Sequence, residues 1–169
     1  RAYRSFVEPF VSAPIVIFAV GNPSRGDDAI GPEIHGQLEK WLENVKLADR
    51  FELIEDFQLN IEHALDLQGR DIALFIDAGE NTPAPFDFRQ IFRSTAASHS
   101  THALPPESVL QVYYQMEGKE PPPAFLLCVR GESFDLGASL TPAAQEGINV
   151  AMALLKRVLR EPDLAAWLR

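Results

Sequence analysis

Two adjacent aspartates, Asp27 and Asp28, stand in the stretch "AVGNPSRGDDAIG" (Ala19 to Gly31), where an apolar run gives way to a helical pattern. A glycine-punctuated turn between a strand and a helix usually suggests phosphate binding at the helix N-terminus. Here the spacing argues against it. Gly21, Gly26 and Gly31 are five apart, so the G-x-G-x-x-G fingerprint is not matched, and no lysine follows to complete a Walker motif. Charge argues against it too, because two carboxylates repel a phosphate where free N–H groups should receive it. The loop is suited to a cation. A plainer reading stands beside this one, in which an aspartate caps the helix and contributes ~1 kcal/mol. Both hold if Asp27 caps and Asp28 projects into a cleft.

Asp77 ends the apolar run "ALFIDA". It could be a turn residue bonding its own backbone. A carboxylate at the end of a buried strand is nevertheless costly unless it is paired, hydrogen-bonded or metal-bound. Of the four histidines, His35 and His63 fall within helical patterns and read as surface or structural residues. His99 and His102 are in a polar loop, and His102 sits just before a prolyl helix start, from which a side chain can reach a cleft. Asp28, Asp77 and His102 together offer two carboxylates and an imidazole on three loops. Such a set suits a borderline divalent ion such as Zn²⁺ or Ni²⁺, with positions left open for substrate. Cys128, the one cysteine, lies mid-strand and is expected to be buried and inert, not a nucleophile. Serine hydrolysis has no G-x-S-x-G elbow to use, and Ser24 has no obvious paired base.

The elements that must position these residues alternate. "PIVIFAVG" (Pro14 to Gly21) reads as a strand buried on both faces. A helix is expected from about Ala29 to Val45, with Ile34, Leu38, Trp41, Leu42 and Val45 on one stripe. "FELIEDF" is a second strand, "NIEHALDLQG" a short helix closed by Gly69, and "DIALFIDAGE" a third strand. After Pro85, "FDFRQIF" alternates and suits an added antiparallel strand. Pro105 and Pro106 open a helix whose apolar face holds Val109, Val112, Tyr113 and Met116. "PPPAFLLCVRG" is a further strand, and Thr141-Pro142 reads as N-cap and first turn of a helix reaching about Arg160. "EPDLAAWLR" adds a short helical turn. Solid apolar strands alternating with helices predict an α/β fold, one three-layer domain with a mostly parallel sheet of about five strands. In such sheets ligands bind beyond the carboxyl ends of the strands, which places the Gly21–Gly31 loop, Asp56 and Asp77 at one edge.

With 169 residues the chain has one domain's worth of length, read as 1–169 with residues 1–13 as an N-terminal extension. It opens on Arg1 rather than Met, so its numbering is expected to start inside a longer chain. Its 24 acidic and 15 basic residues give a formal charge of −9, which argues against nucleic acid or an anionic membrane as partner. The N-terminal segment has positive charges before apolar residues, as a signal peptide has. Glu8 and Pro14 interrupt it, however, and no small-residue cleavage site precedes the loop. No stretch approaches the ~20 apolar residues that span a bilayer. One cysteine gives no disulfide framework, and the expected location is the cytoplasm.

The motifs, taken in order, resemble those of the [NiFe]-hydrogenase maturation endopeptidases. "GNPSRGDDAIG" resembles their first loop, "FIDA" their central-strand motif, and "HALPPESVL" their histidine segment. "GESFDLGASLTPAAQEGI" resembles their closing segment, so the resemblance runs from about Ile15 to Arg160. The resemblance implies an endopeptidase that removes the C-terminal extension of the immature hydrogenase large subunit. Nickel already installed in that precursor would be recognised by Asp28, Asp77 and His102, and no organic cofactor is implied. Several members have Glu at the Asp28 position, and many have a glycine-rich turn where this chain has "EDFQLNIEHALD". That variant turn resembles the enzymes serving soluble, NAD-reducing hydrogenases. Two carboxylates and an imidazole let a metal polarise the scissile carbonyl or activate water. Alternatively nickel is only a recognition handle, and Asp27 or Asp56 acts as general base. No H-E-x-x-H helix is present for a permanently zinc-loaded peptidase. The rival readings are a nucleotide or flavin binding module without catalysis, and a nickel-independent α/β peptidase.

Overall fold

The computed structural model describes residues 12–95, 103–161 and 163–168. Its strands are β1 (Ile15–Val20), β2 (Phe51–Asp56), β3 (Ile72–Gly79), β4 (Phe86–Ile91) and β5 (Ala124–Arg130). They form one sheet in the order β2-β1-β3-β5-β4. β1 runs parallel to β2 and β3, β3 runs parallel to β5, and β4 lies antiparallel at an edge. The mostly parallel sheet of about five strands, with its added antiparallel strand, is as the sequence predicts.

The apolar runs are continuous because both faces of the inner strands are covered. All six residues of β1 are buried. Ile15 and Ile17 point into one core with Leu74, Ile76, Phe125 and Leu127. Val16 and Phe18 point into the other with Ala73, Phe75 and Leu126. The first core is closed by α1 (Ile30–Asn44), α3 (Pro142–Arg160) and α4 (Leu164–Leu168). Ile34, Leu38 and Leu42 of α1 form its buried stripe, as the spacing predicts. The second core is closed by a 3₁₀ segment, Ile61–Leu67, and by α2 (Pro106–Glu117). Three layers result. The α3 start is also as expected: Pro142 occupies the first turn, and the Thr141 hydroxyl accepts the Ala144 N–H at 3.1 Å. In α4, Trp167 settles against Phe125 with ring centroids 5.2 Å apart.

Three local expectations need correcting. The helical pattern expected from Ala29 is split into a 3₁₀ turn, Gly26–Ala29, followed by α1 from Ile30. "NIEHALDLQG" forms a 3₁₀ segment rather than an α-helix. Met116 shares a helical stripe with Val109 and Tyr113, yet it is 46% exposed while those two are buried. Its angle is right, but it sits in the last turn before Gly118, where the core beneath the helix has ended.

The difference between stripe and core has a measurable consequence. Leu110→Ala should cost about 2–5 kcal/mol, whereas Met116→Ala should stay within about 0.5 kcal/mol. Urea denaturation of the two variants checks this, and similar losses from both would contradict it.

Candidate functional site

Strand order decides where a ligand can enter. From β1 the chain crosses to β2 on one side, while β3 lies on the other, so the loops leaving β1 and β3 diverge above the sheet. Such a switch point leaves a crevice at the carboxyl ends of the strands. The loop carrying Asp28 follows β1, and Asp77 lies two residues before the end of β3. The 3₁₀ turn Gly26–Ala29 packs against β3, so the two segments meet.

The first loop is wired by its own backbone. The Asn22 N–H donates to Asp28 Oδ2 at 2.7 Å, the Ser24 N–H to Asn22 Oδ1 at 2.9 Å, and the Asp28 N–H to the Arg25 carbonyl at 3.0 Å. Two of the glycines are required here. A side chain on Gly21 would collide with the Asp28 carbonyl, and Gly26 adopts φ +55° against the Ser133 carbonyl.

Asp27 does not cap the helix. Neither the 3₁₀ turn nor α1 has a side-chain cap. Asp27 is fully buried and reaches instead to the loop before α3. Its Oδ2 accepts the Glu132 N–H at 2.7 Å, the Ser133 N–H at 3.2 Å and the Thr141 hydroxyl at 2.8 Å, while Oδ1 accepts the Thr141 N–H at 2.8 Å. Burial pushes its pKa up, but the bonds from Thr141, Glu132 and Ser133 outweigh that and leave it below the ordinary value. The Asp27 N–H also donates to the Ser133 carbonyl, and the Gly26 N–H to that of Ala138.

Asp77 is the opposite case. Burial pushes its carboxyl pKa up, the Ala78 N–H on Oδ1 pulls it part of the way back, and the charge of Asp28 raises it again, to about 7. The charge of Asp28 therefore adds to the cost of charging Asp77. A cation between them would relieve that cost, so this pair fits the carboxylate part of a metal site. Among the described residues no set of three His, Cys, Asp or Glu side chains is arranged to hold a metal ion. The expected third ligand, His102, and His99 lie outside the described residues.

Asp56 ends β2, and its carbonyl accepts the Gly21 N–H at 3.0 Å, tying it to the same crevice. Its side chain is half-exposed, and His63 Nε2 lies 3.3 Å from Oδ2. His63 is buried, so it is structural rather than superficial. Its link to Asp56 was missed in the sequence, although Asn60 and His63 stand at the N-cap and N3 spacing of a capping box. His35 Nδ1 lies 3.4 Å from Glu55 Oε1, away from these carboxylates in its role of joining α1 to β2. Cys128 is partly exposed rather than buried, because it stands at the upper end of β5 beside the Thr82 hydroxyl at 2.9 Å. Burial chiefly, with Asp77 and Asp87 nearby, pushes its thiol up, as expected of an unreactive cysteine.

Solved structures share this architecture. The hydrogenase maturating endopeptidase HybD from E. coli aligns with a TM-score of 0.68 at 25% identity, over 88% of this chain and 93% of that one. An endopeptidase from Escherichia coli aligns at 0.66 and 26% identity, over 88% and 93%. The [NiFe] hydrogenase maturation protease HycI from Thermococcus kodakarensis has the same fold at 0.65 and 23% identity, over 88% and 94%. No family model matches the chain, and no curated protein matches it. The fold is thus that of the hydrogenase maturation endopeptidases. The resemblance carried by the motifs is matched by a structural likeness over 88% of the chain.

Two predictions follow from the contrast between Asp27 and Asp77. Asp27→Ala leaves the Glu132, Ser133 and Thr141 N–H groups unpaired and should cost on the order of 3 kcal/mol by urea denaturation. A loss no larger than that of an exposed-residue control would contradict the anchoring role. For Asp77 the folded protein keeps its proton up to about pH 7, whereas the unfolded chain releases it near 3.8. The folded state binds more protons in that window, so Asp77 lowers stability as pH rises from about 4 to about 7. Without added metal ions, Asp77→Asn should match wild type near pH 4 and exceed it at pH 8 by on the order of 2–4 kcal/mol. Equal stabilities at pH 8 would contradict this.

Proposed function

We propose that this chain is an endopeptidase of hydrogenase maturation, acting on the [NiFe]-hydrogenase large-subunit precursor. It removes the precursor's C-terminal extension once nickel is in place, and Asp28, Asp77 and His102 recognise that nickel. The observation that carries this reading is the Asp28–Asp77 pair, which shares one crevice and holds one carboxyl near a pKa of about 7. A like-charged pair of this kind is an unfavourable arrangement for an empty protein and a favourable one for a divalent cation. The endopeptidases among the structural neighbours agree with it. The pair also disfavours the nucleotide or flavin module, because an anionic group would meet two carboxylates at the switch point. The turn after β2 favours a precursor of the soluble, NAD-reducing type, and the cytoplasm is the compartment in which such a precursor is processed.

Nickel arrives with the substrate, so cleavage is gated on completed metal insertion. Bound against the carboxylates, it would supply Lewis acidity to the scissile carbonyl or serve as a handle alone. The chain's own residues do the rest. Asp27 holds the wall of the crevice, and all four donors around it are already engaged, which leaves it poorly placed to take a proton. Asp56, half-exposed at the end of β2, is the better general base.

Purified protein should truncate the nickel-loaded precursor and leave the nickel-free one intact, as read by mass spectrometry of the large subunit. Asp28→Ala, Asp77→Ala and His102→Ala should each reduce truncation to background while keeping the far-ultraviolet circular dichroism of wild type. Equal cleavage with and without nickel would instead support a nickel-independent peptidase.

A further inference from the structure

Asp27 and His63 are the buried polar side chains among the described residues, and the four bonds to Asp27 account for the first. His63 sits in the 3₁₀ segment Ile61–Leu67, directly after the turn that leaves β2. Its Nδ1 accepts the Asn60 N–H at 3.0 Å, while Asn60 Oδ1 accepts the Glu62 N–H at 2.9 Å. An accepting Nδ1 bears no proton, so the neutral imidazole carries its hydrogen on Nε2. The ring meets Phe18 edge-on at a centroid distance of 5.8 Å, which fixes its plane. Nε2 then faces Asp56 Oδ2 at 3.3 Å. The other carboxylate oxygen, Oδ1, accepts the Phe57 N–H at 2.7 Å. Each oxygen retains a free lone pair, and 47% of the Asp56 side chain is open to solvent.

A base held by a group that is itself oriented by a third is the arrangement that positions proton transfer in many hydrolases. We propose that His63 is a positioning residue for Asp56. It fixes the carboxylate that accepts a proton from the attacking water, an assignment that rests on the endopeptidase reading. In the step so described, the water oxygen bonds to the scissile carbonyl carbon and one water proton passes to Asp56. The C–N bond then breaks, and that proton goes to the departing amine nitrogen. One water is consumed, one carboxyl and one amine are formed, and Asp56 is regenerated. The 3.3 Å separation is long for a hydrogen bond, and catalytic contacts of this kind tighten when substrate binds. A purely structural His63 would cap the 3₁₀ segment and leave catalysis to other groups.

Spectra of the protein itself and kinetics on the nickel-loaded precursor separate these roles. Long-range ¹H–¹⁵N spectra of wild type should show His63 protonated at Nε2, and the Nε2 resonance should move in Asp56→Asn. His63→Leu should lower kcat roughly 10–100-fold with KM little changed. His63→Gln, which keeps one acceptor and one donor, should recover most of kcat. Asp56→Ala should lower kcat by about 10²–10⁴-fold, and adding His63→Leu to it should lower it no further. An Nδ1-protonated ring overturns the inference. So does a kcat unchanged in both His63 variants, or losses that add in the double variant. Wild type that fails to cleave the precursor overturns the endopeptidase reading and this inference with it. Cleavage that needs Asp56 but ignores His63 overturns the inference alone.

Discussion

A carboxylate taken out of water must be compensated where it lands, and among the described residues no cationic side chain makes that compensation for Asp27. Backbone N–H groups of Glu132, Ser133 and Thr141, with the Thr141 hydroxyl, surround it instead. Each of these bonds to a charged acceptor is stronger than a neutral one, and losing the acceptor would strand several donors at once. The loop after β1 and the loop before α3 are consequently fastened to each other. Thr141 also caps α3, so the same carboxylate fixes where that helix begins. Asp28 is the next residue along the chain. Its position in the crevice follows from its neighbour's, and its carboxylate is then set by the Asn22 N–H.

Four aspartates at one sheet edge are differentiated by surroundings alone. Asp27 has donors in excess and is held charged. Asp77 has burial, a single Ala78 N–H and a like charge for company, and is pushed to about 7. Asp28 is half-buried and supplies part of that push. Asp56 is the open one, with a histidine at its back. Surroundings that differ in this way pull chemically identical groups apart and give them different capacities. The charge of Asp28 near the buried Asp77 runs against stability, a local conflict of the kind that proteins keep at a few positions only.

Much of the fold was legible because burial on both sheet faces writes itself as solid apolar runs. β1, β3 and β5 were found that way, and the Thr141-Pro142 start of α3 was found from cap chemistry. The strand order was not legible. It depends on pairings such as Asp77 beside Cys128, far apart in sequence, and the switch point exists only once that order is known. Asp27 shows the same limit at one residue. Local rules offer an aspartate before a helix a cap, but its partners lie more than a hundred positions onward, at separations of 105 to 114. His63 was passed over because a helical pattern says which residues share a face, not that a buried ring will find a strand-end carboxylate. Met116 failed in the reverse sense, with the right periodicity and no core below it.

The turn after β2 shows how this chain replaces flexibility with bonding. Where a glycine-rich turn would gain freedom and lose it again on ordering, Phe57 to Asn60 are held by the Phe57 N–H on Asp56, the Asn60–His63 box and the Asn60–Glu62 bond. The turn also serves as a junction. The Asp56 carbonyl receives the Gly21 N–H from the loop of Asp28, and the Leu59 carbonyl receives the N–H of Leu104, two residues beyond His102 in sequence. Main-chain bonds therefore tie the turn after β2 to the loop of Asp28 and to the segment that opens α2. Backbone bonds of this sort are indifferent to which side chains the segments carry. The side chains they present can thus vary in length and charge while the backbone keeps its course.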